Sequence, residues 1–351
     1  MTVAAFRGLR LAGALLVGVA LASAPARALD LSAHPVGSIV TDSAAASRLF
    51  AQARARPTQP FVTPLLRDIP AGDQGDVIRY GMELLHNTSG LIGPRQPNAA
   101  LRHSRNDLNC EACHQAGPSG LPGTKPFSLP LVNVRNDYPK LDAKTMLVTS
   151  IEARISGMLG AGATPIRADS REMRAMVAYI EWLGSRSRPG RAMIGAGLNE
   201  TIILPARAAN IERGRALYAA TCSVCHGPQG LGLKAAGFEG GAGYQYPPIA
   251  GDDAYDDAGH MYMVPLLTRF LRTNMPLGAT AAKPLLSVAD AYDIAAFVNT
   301  ELPRKHNTGR MSLYPDPRFR VVGFAIPEQF PGNDDAYRRA RLGPFSTKPI
   351  R

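Results

Sequence analysis

The chain has 351 residues and a formal net charge of +11, with 34 glycines, 29 prolines and 7% aromatic residues. This length is enough for two small domains with separate cores, and the glycines and prolines indicate that much of the chain is loop. No segment is apolar over the roughly 20 residues that a transmembrane helix needs. The mature chain is therefore expected to be soluble.

The N-terminus has the pattern of an export signal. Arg7 and Arg10 form a basic region, the apolar stretch Leu11–Ala24 is only 14 residues long, and Ala26–Ala28 fits the small-x-small rule of signal peptidase. We therefore predict that residues 1–28 are removed and that the protein is periplasmic, with an uncleaved anchor as the alternative. Cleavage would remove three arginines and no acids, and so lower the charge from +11 to +8. Outside the cytoplasm this charge does not indicate a nucleic-acid partner.

A proline-rich segment precedes the first predicted helix. Residues 29–75 include four prolines from Pro57 to Pro70, which predicts an irregular N-terminal extension. A helix is predicted at Asp76–His86, before the first cysteine motif. It opens a first domain that we assign to residues 76–185.

All four cysteines lie in two copies of the pattern Cys-x-x-Cys-His, at Cys110–His114 and Cys222–His226. This pattern is the attachment signature of c-type haem: the thiols form thioethers with the haem vinyl groups, and the histidine is the proximal iron ligand. Two disulfides or one all-thiolate zinc site are the alternatives, but neither explains the histidine in both copies. The sequence therefore predicts two covalently bound haem c groups, held by Cys110, Cys113, His114, Cys222, Cys225 and His226.

Further helices are predicted around the second motif and at the end of each domain. Arg171–Leu183 has apolar residues at helical spacing and closes the first domain. Ile211–Ala220 leads into the second motif, and Val288–Thr300 closes the second domain after a predicted capping box of Ser287 and Asp290. Strand signals are sparse, so the fold class is mainly α.

The remaining segments are a linker and a basic tail. From Arg304 to Arg351 the chain has ten Lys and Arg residues against four acidic ones, which predicts a solvated tail over the domains. The alternative is a docking surface for an acidic redox partner, or a field that attracts a small anion. We predict two tandem class I cytochrome c domains with irregular N- and C-terminal extensions, in the order extension 29–75, first domain 76–185, linker 186–205, second domain 206–305 and tail 306–351.

The distal ligand of each iron separates an electron carrier from an enzyme. A thioether favours the ferrous state, an imidazole or a thiolate lowers the potential, and a vacant position permits chemistry on bound molecules. For the second haem the predicted ligand is Met275, 49 residues after His226 in a loop with Pro276 and Gly278. The alternatives are Met261, Met263 and His260.

The first haem has its own predicted distal ligand, Met158, which stands 44 residues after His114 and ahead of the closing helix. Its alternatives are Met146, His86 and His103. The other two histidines, His34 and His306, lie in the flanking segments and are expected at the surface.

Several residues outside the motifs follow a characteristic order: Gly81, Thr88, Gly93-Pro94, Asn109, Tyr138-Pro139, Glu152–Ile155, Met173–Leu183, Arg213-Gly214, Tyr218, Asn274–Gly278 and Asp293–Phe297. In this order the chain resembles the dihaem thiosulfate dehydrogenase family and the related cytochrome subunit of the sulfur-oxidising complex. The similarity covers residues 76–305, and the Arg-Ile segment at Glu152–Ile155 is its most specific part.

The resemblance also implies a function and a site. In that family a cysteine a few residues after the Arg-Ile pair gives the catalytic haem a thiolate ligand, and arginines hold the anionic substrate. Here Met158 occupies the position of that cysteine. Arg154 and Arg105 are the candidate anion-binding residues, and Arg102 and Arg135 are further candidates. The resemblance implies oxidation of thiosulfate to tetrathionate, whereas the methionine removes the thiolate on which that chemistry depends.

Three functions are therefore considered. The leading hypothesis is a periplasmic dihaem electron carrier with His/Met ligation at both irons, which passes electrons to a redox partner protein such as a cytochrome, an oxidase or a dehydrogenase. The second is an enzyme that oxidises a small sulfur oxyanion at the first haem. The third is a cytochrome subunit of a larger periplasmic dehydrogenase, with the basic tail as the interface.

Overall fold

The computed structural model describes residues 30–160 and 162–345, so the predicted signal peptide at 1–28 lies outside the described residues. Within the described ranges the fold is largely helical, with three two-stranded sheets. None of the helices there is both long and apolar enough to cross a membrane. The predicted fold class, mainly α, is confirmed for these residues.

The helices are joined by connections that range from one residue to long loops. In chain order they are α1 Ser43–Arg54, α2 Asp73–His86, α3 Thr88–Ile92, α4 Val134–Asp137, α5 Ile151–Leu159, α6 Arg171–Leu183, α7 Ile211–Thr221, α8 Ser223–His226, α9 Val264–Asn274, α10 Val288–Thr300 and α11 Asp334–Leu342. The strands are β1 Thr58–Gln59, β2 Lys140–Asp142, β3 Leu147–Thr149, β4 Ala192–Met193, β5 Leu233–Lys234 and β6 Tyr244–Tyr246. β1 pairs with β4 in parallel, whereas β2 with β3 and β5 with β6 are antiparallel.

In two helix pairs, the helices cross each other at a glycine. A Cβ on Gly81 of α2 would lie 2.0 Å from the carbonyl oxygen of Ala175 in α6. A Cβ on Gly214 of α7 would lie 2.0 Å from the carbonyl oxygen of Asp293 in α10. Because only glycine lacks this atom, it lets the two backbones approach so closely. In each pair, a helix that precedes a cysteine motif therefore packs against a helix that comes after the same motif.

Each pair carries its own apolar core. The α2–α6 core includes Ile78, Leu84, Met173, Met176, Tyr179 and Leu183. The α7–α10 core includes Tyr218, Leu267, Ile294, Phe297 and Val298. The predicted bounds of the helices α6 and α10 are confirmed. The predicted capping box at the start of α10 is present, with Ser287 and Asp290 exchanging hydrogen bonds.

The flanking segments differ from the expected irregular extensions. Residues 29–75 contain α1, a helix of 12 residues that begins after Asp42, whose side chain caps it. Its apolar face packs against the β2–β3 hairpin and against Phe319 of the C-terminal segment. That C-terminal segment is not simply solvated, because Leu342 and Phe345 are buried in the α7–α10 core.

Candidate haem sites

The first cysteine motif is held by α3 and by a distant loop. The Thr88 hydroxyl contacts the Cys110 sulfur at 3.3 Å, and the Cys110 amide donates to the same hydroxyl at 3.0 Å. His114 donates from Nδ1 to the Leu129 carbonyl at 2.6 Å. This bond fixes the tautomer and leaves Nε2 with its lone pair as a metal ligand.

The second motif repeats this arrangement. His226 in α8 donates from Nδ1 to the Pro247 carbonyl at 2.8 Å, so its Nε2 also carries the free lone pair. Burial lowers the pKa of both His114 and His226, which keeps each imidazole neutral. A neutral, oriented imidazole beside two thiols is the donor set that haem c requires. The residues of both motifs therefore fit the group.

The alternative uses of the cysteines gain no support. All four thiols are free of disulfides. Across 30–160 and 162–345, no three His, Cys, Asp or Glu side chains group as a metal site. Burial raises the pKa of Cys110, and it raises the pKa of Cys222 to about 11, so both thiols are protonated in the metal-free folded chain.

The predicted distal residue Met275 directly follows α9. It is partly buried and extended, with its amide bonded to the Leu271 carbonyl. Among its alternatives, Met263 is 1% exposed in an apolar cluster with Tyr314, Phe324 and Ile326, where it serves as a packing residue. Met261 is partly buried against the α7–α10 core.

The predicted distal residue Met158 lies in α5 and is 57% exposed. Arg154 stands one helical turn before it and so shares its face. Arg105 borders the same helix end, because its amide donates to the Leu159 carbonyl at 3.0 Å and its side chain packs against Gly160. The two predicted anion-binding arginines thus lie on either side of Met158 along α5.

The alternatives to Met158 are engaged elsewhere. Met146 is 4% exposed in the cluster with α1. The ring of His103 is buried and bonded through Nδ1 to the Thr164 carbonyl at 2.9 Å. His86 is solvent-exposed and paired with Glu111 at 2.5 Å. Of the further arginines, Arg102 donates to the Gln96 carbonyl, and Arg135 packs against Gly184 at the end of α6.

The charge of Arg154 acts on three nearby side chains, His114, Lys144 and His260. Its charge lowers the pKa of His114, behind the larger effect of burial. His260, from the loop before α9, has a pKa lowered to about 3 by burial and then by Lys144, Arg154 and Lys140. The Lys144 ammonium donates to the Ala258 carbonyl at 2.5 Å. Among the described side chains, Arg154 enters none of the ion pairs, so its charge is free for an external anion.

This grouping was not evident in the sequence. His260 was considered only as an alternative ligand of the second haem, yet the fold brings it to the surroundings of Arg154. The carbonyl partners of the two motif histidines were also missed. Leu129 and Pro247 lie in loops without periodicity, so no local pattern identifies them.

Comparisons with known proteins agree with this geometry. The family described as "Cytochrome C oxidase, cbb3-type, subunit III" matches residues 209–298. The thiosulfate dehydrogenase of Stutzerimonas stutzeri is 31% identical over 242 residues, which cover 68% of this chain and 72% of that protein. The chain belongs to the thiosulfate dehydrogenase family. The predicted resemblance is confirmed.

Other members of the family match at lower identity. The thiosulfate dehydrogenase of Allochromatium vinosum is 28% identical over 273 residues, covering 77% of this chain and 94% of that protein. Among solved structures, thiosulfate dehydrogenase (TsdBA) from Marichromatium purpuratum matches with a TM-score of 0.61 and 25% identity. That match covers 78% of this chain but only 56% of the solved chain. This protein is therefore a c-type cytochrome of the thiosulfate dehydrogenase family, an electron-transport protein that binds haem c covalently.

Proposed function

We propose that this cytochrome is exported to the periplasm, carries two haem c groups and passes electrons to a redox partner protein. The observation that carries the proposal is the repeated histidine geometry, with Nδ1 of His114 and of His226 bonded to a backbone carbonyl. We assign one haem to each of two tandem domains, 76–185 and 206–305, joined by the linker 186–205. The segments 29–75 and 306–351 flank them.

We assign the distal positions to Met158 and Met275. When bound, haem c supplies reversible one-electron transfer at each site. A haem held by a histidine and a methionine would favour the reduced iron, which suits a carrier of relatively high potential. The hydrogen bonds from His114 to Leu129 and from His226 to Pro247 fix the imidazole planes, so little rearrangement accompanies a change of charge. The burial that lowers the pKa of both histidines also disfavours a second proton on each ring, so Nε2 keeps its lone pair.

A second candidate function is oxidation of a sulfur oxyanion beside the first haem. It is favoured by the free guanidinium of Arg154, with Lys144 close to it and Arg105 at the end of α5. These cations would hold two thiosulfate ions, which form one new S–S bond in tetrathionate and release two electrons. The relatives named thiosulfate dehydrogenase carry out this class of reaction, but Met158 supplies a thioether where the family has a thiolate.

The variant Met158→Cys tests which function applies. We expect the wild-type protein to accept and donate electrons but to oxidise thiosulfate slowly. Met158→Cys should lower the midpoint potential of the first haem and shift its absorption and electron paramagnetic resonance signals toward thiolate ligation. Thiosulfate oxidation is measured in parallel as reduction of an added acceptor.

A matched control is Met311→Cys, because Met311 is also 57% exposed and lies in the C-terminal segment. It adds the same thiol without changing either haem signal. Rapid turnover of thiosulfate by the wild-type protein would refute the carrier proposal. An unaltered first-haem spectrum in Met158→Cys would show that Met158 is not the ligand.

A further inference from the structure

The loop 126–130, with the sequence Pro-Phe-Ser-Leu-Pro, has an uncommon backbone conformation. Phe127 has φ of 60° and Leu129 has φ of 50°, in the left-handed region that bulky residues rarely adopt. Such strain persists where surrounding contacts hold the backbone in place, and it concentrates at functional sites. The contacts of this loop are therefore informative.

One side of the loop holds the first cysteine motif. The Leu129 carbonyl accepts the Nδ1 proton of His114 at 2.6 Å. The Ser128 side chain, which is fully buried, donates to the Cys113 carbonyl at 3.3 Å. Ser128 thus bonds to Cys113, a predicted attachment residue, and Leu129 bonds to His114, the predicted proximal ligand.

The other side of the loop contacts the residue before Met275. The Asn274 side-chain amide donates to the Phe127 carbonyl at 2.9 Å, across 147 positions of sequence. Asn274 is 1% exposed, and the same amide nitrogen also contacts the Phe270 carbonyl at 3.1 Å and the Thr273 hydroxyl at 2.8 Å. Its own oxygen Oδ1 is buried without a partner. The Asn274 amide nitrogen therefore bridges α9 and the loop 126–130.

We propose that Asn274 is a positioning residue that couples the ligand loops of the two haems through the loop 126–130. This proposal rests on the proposed ligands His114 and Met275. Only two hydrogen bonds, from Asn274 to Phe127 and from His114 to Leu129, separate the two ligands along this bonded route. A displacement of the Met275 loop therefore reaches the proximal imidazole of the first haem. The potential of each haem depends on how the other is ligated.

The variant Asn274→Ala of the haem-loaded protein tests this coupling. It removes the bond to Phe127 and leaves both motifs and Met275 in the sequence. We expect the reduced-to-oxidised ratio of the first haem, at a fixed potential, to change by about threefold, equivalent to about 30 mV for one electron. The second haem should change as well. Both values come from a redox titration with spectra that resolve the two haems.

The matched control is Asn210→Ala. Asn210 caps α7 by accepting from the Arg213 amide at 2.9 Å, and its side chain has no bond to the loop 126–130. Its loss should weaken the α7–α10 helix pair without moving the first-haem potential. A shift of the second haem alone in Asn274→Ala would overturn the proposal, since Asn274 would then support only the Met275 loop.

A second variant, Phe127→Gly, keeps the carbonyl but relaxes the left-handed backbone. It should shift both potentials, and a second haem that stays unchanged would overturn the coupling. If Asn274→Ala does not fold, Asn274→Ser provides the same test with a smaller loss of packing. Failure of the proposed ligation is separately visible: the wild-type protein would then lack the methionine–iron charge-transfer band of the second haem.

Discussion

The glycine crossing of α7 and α10 makes Gly214→Ala a sharp test of the packing. The added Cβ would lie 2.0 Å from the Asp293 carbonyl oxygen, 2.6 Å from the Asp293 carbonyl carbon and 3.0 Å from the Phe297 Cβ. None of these atoms can rotate away, because two belong to the backbone and the third is fixed to it. The helices must therefore separate by about 1.5 Å to restore ordinary contact.

The expected change in the free energy of unfolding combines opposing effects. Alanine gains about 1 kcal/mol over glycine in a helix interior. Overpacking of a core costs about 1–3 kcal/mol, and the shift of α10 also strains the Asp293 carboxylate bonds, each worth about 1.5–3 kcal/mol. Arg207 and Arg213 make those bonds at 2.7–2.8 Å. We expect a net loss of about 2 kcal/mol, or a Tm lower by about 8–16 °C for a domain of roughly 100 residues.

Thermal unfolding of the holoprotein, followed by helical circular dichroism and by the visible bands of each haem, measures this loss. Gly81→Ala is the counterpart in the other helix pair, with the same 2.0 Å clash at Ala175, and should destabilise the first haem's surroundings instead. Gly157→Ala in α5 is the control, because nothing lies within 4 Å of its added Cβ, and it should stabilise slightly. A Gly214→Ala protein as stable as wild type would refute the close crossing.

Three further predictions concern the cofactors and pH. The mass of the periplasmic protein should equal a chain that begins near Leu29 plus two haems; a mass with one haem would refute one motif. Met275→Ala should lower the potential of the second haem, because the thioether that favours ferrous iron is lost, and an unchanged redox titration would return Met261 and His260 to consideration. Asp293→Asn should remove a pH-dependent part of the stability. Burial acts to raise the pKa of Asp293, but the Arg207 hydrogen bond and other donors outweigh it and hold the pKa below 3.8. A depressed carboxyl pKa contributes stability that is complete above its unfolded value and is lost as pH falls through the folded value. The deficit of the variant, measured by denaturant titration, should therefore be full above about pH 4 and shrink at lower pH; a deficit independent of pH would contradict this assignment.

The helices with strong local signals were predictable. Arg171–Leu183 and Val288–Thr300 each follow a serine that caps the helix and carry apolar residues that the opposite helix covers. The helix α1 was missed because prolines dominate the segment after it, while its cap Asp42 and its alanines give only a weak periodicity. Burial at the C-terminus depends on Leu342 and Phe345 meeting a core formed far away in sequence.

Some groups of the candidate site could likewise be proposed from the sequence, whereas others could not. The attachment residues could be proposed from the sequence because their spacing within each motif is fixed by the chemistry of the haem edge, and they stay predictions. The groups that orient them were not, since Leu129 and Pro247 contribute only backbone carbonyls and any residue supplies one. The approach of His260 and Lys144 to Arg154 depends on packing between separate parts of the chain. The distal assignments of Met158 and Met275 stay predictions.

The C-terminal segment joins elements that lie far apart in the sequence. The Tyr314 amide donates to the Lys144 carbonyl at 2.7 Å, and Phe319 contacts the ring of Phe50 with centroids 4.7 Å apart. Phe345 meets Tyr292 at the other end of this segment. The segment from Tyr314 to Phe345 thus links α1 and the β2–β3 hairpin to the α7–α10 core. Because the two ends of this segment contact different elements, loss of the contacts around Phe319 would let α1 and the hairpin open locally while α7 and α10 stay packed.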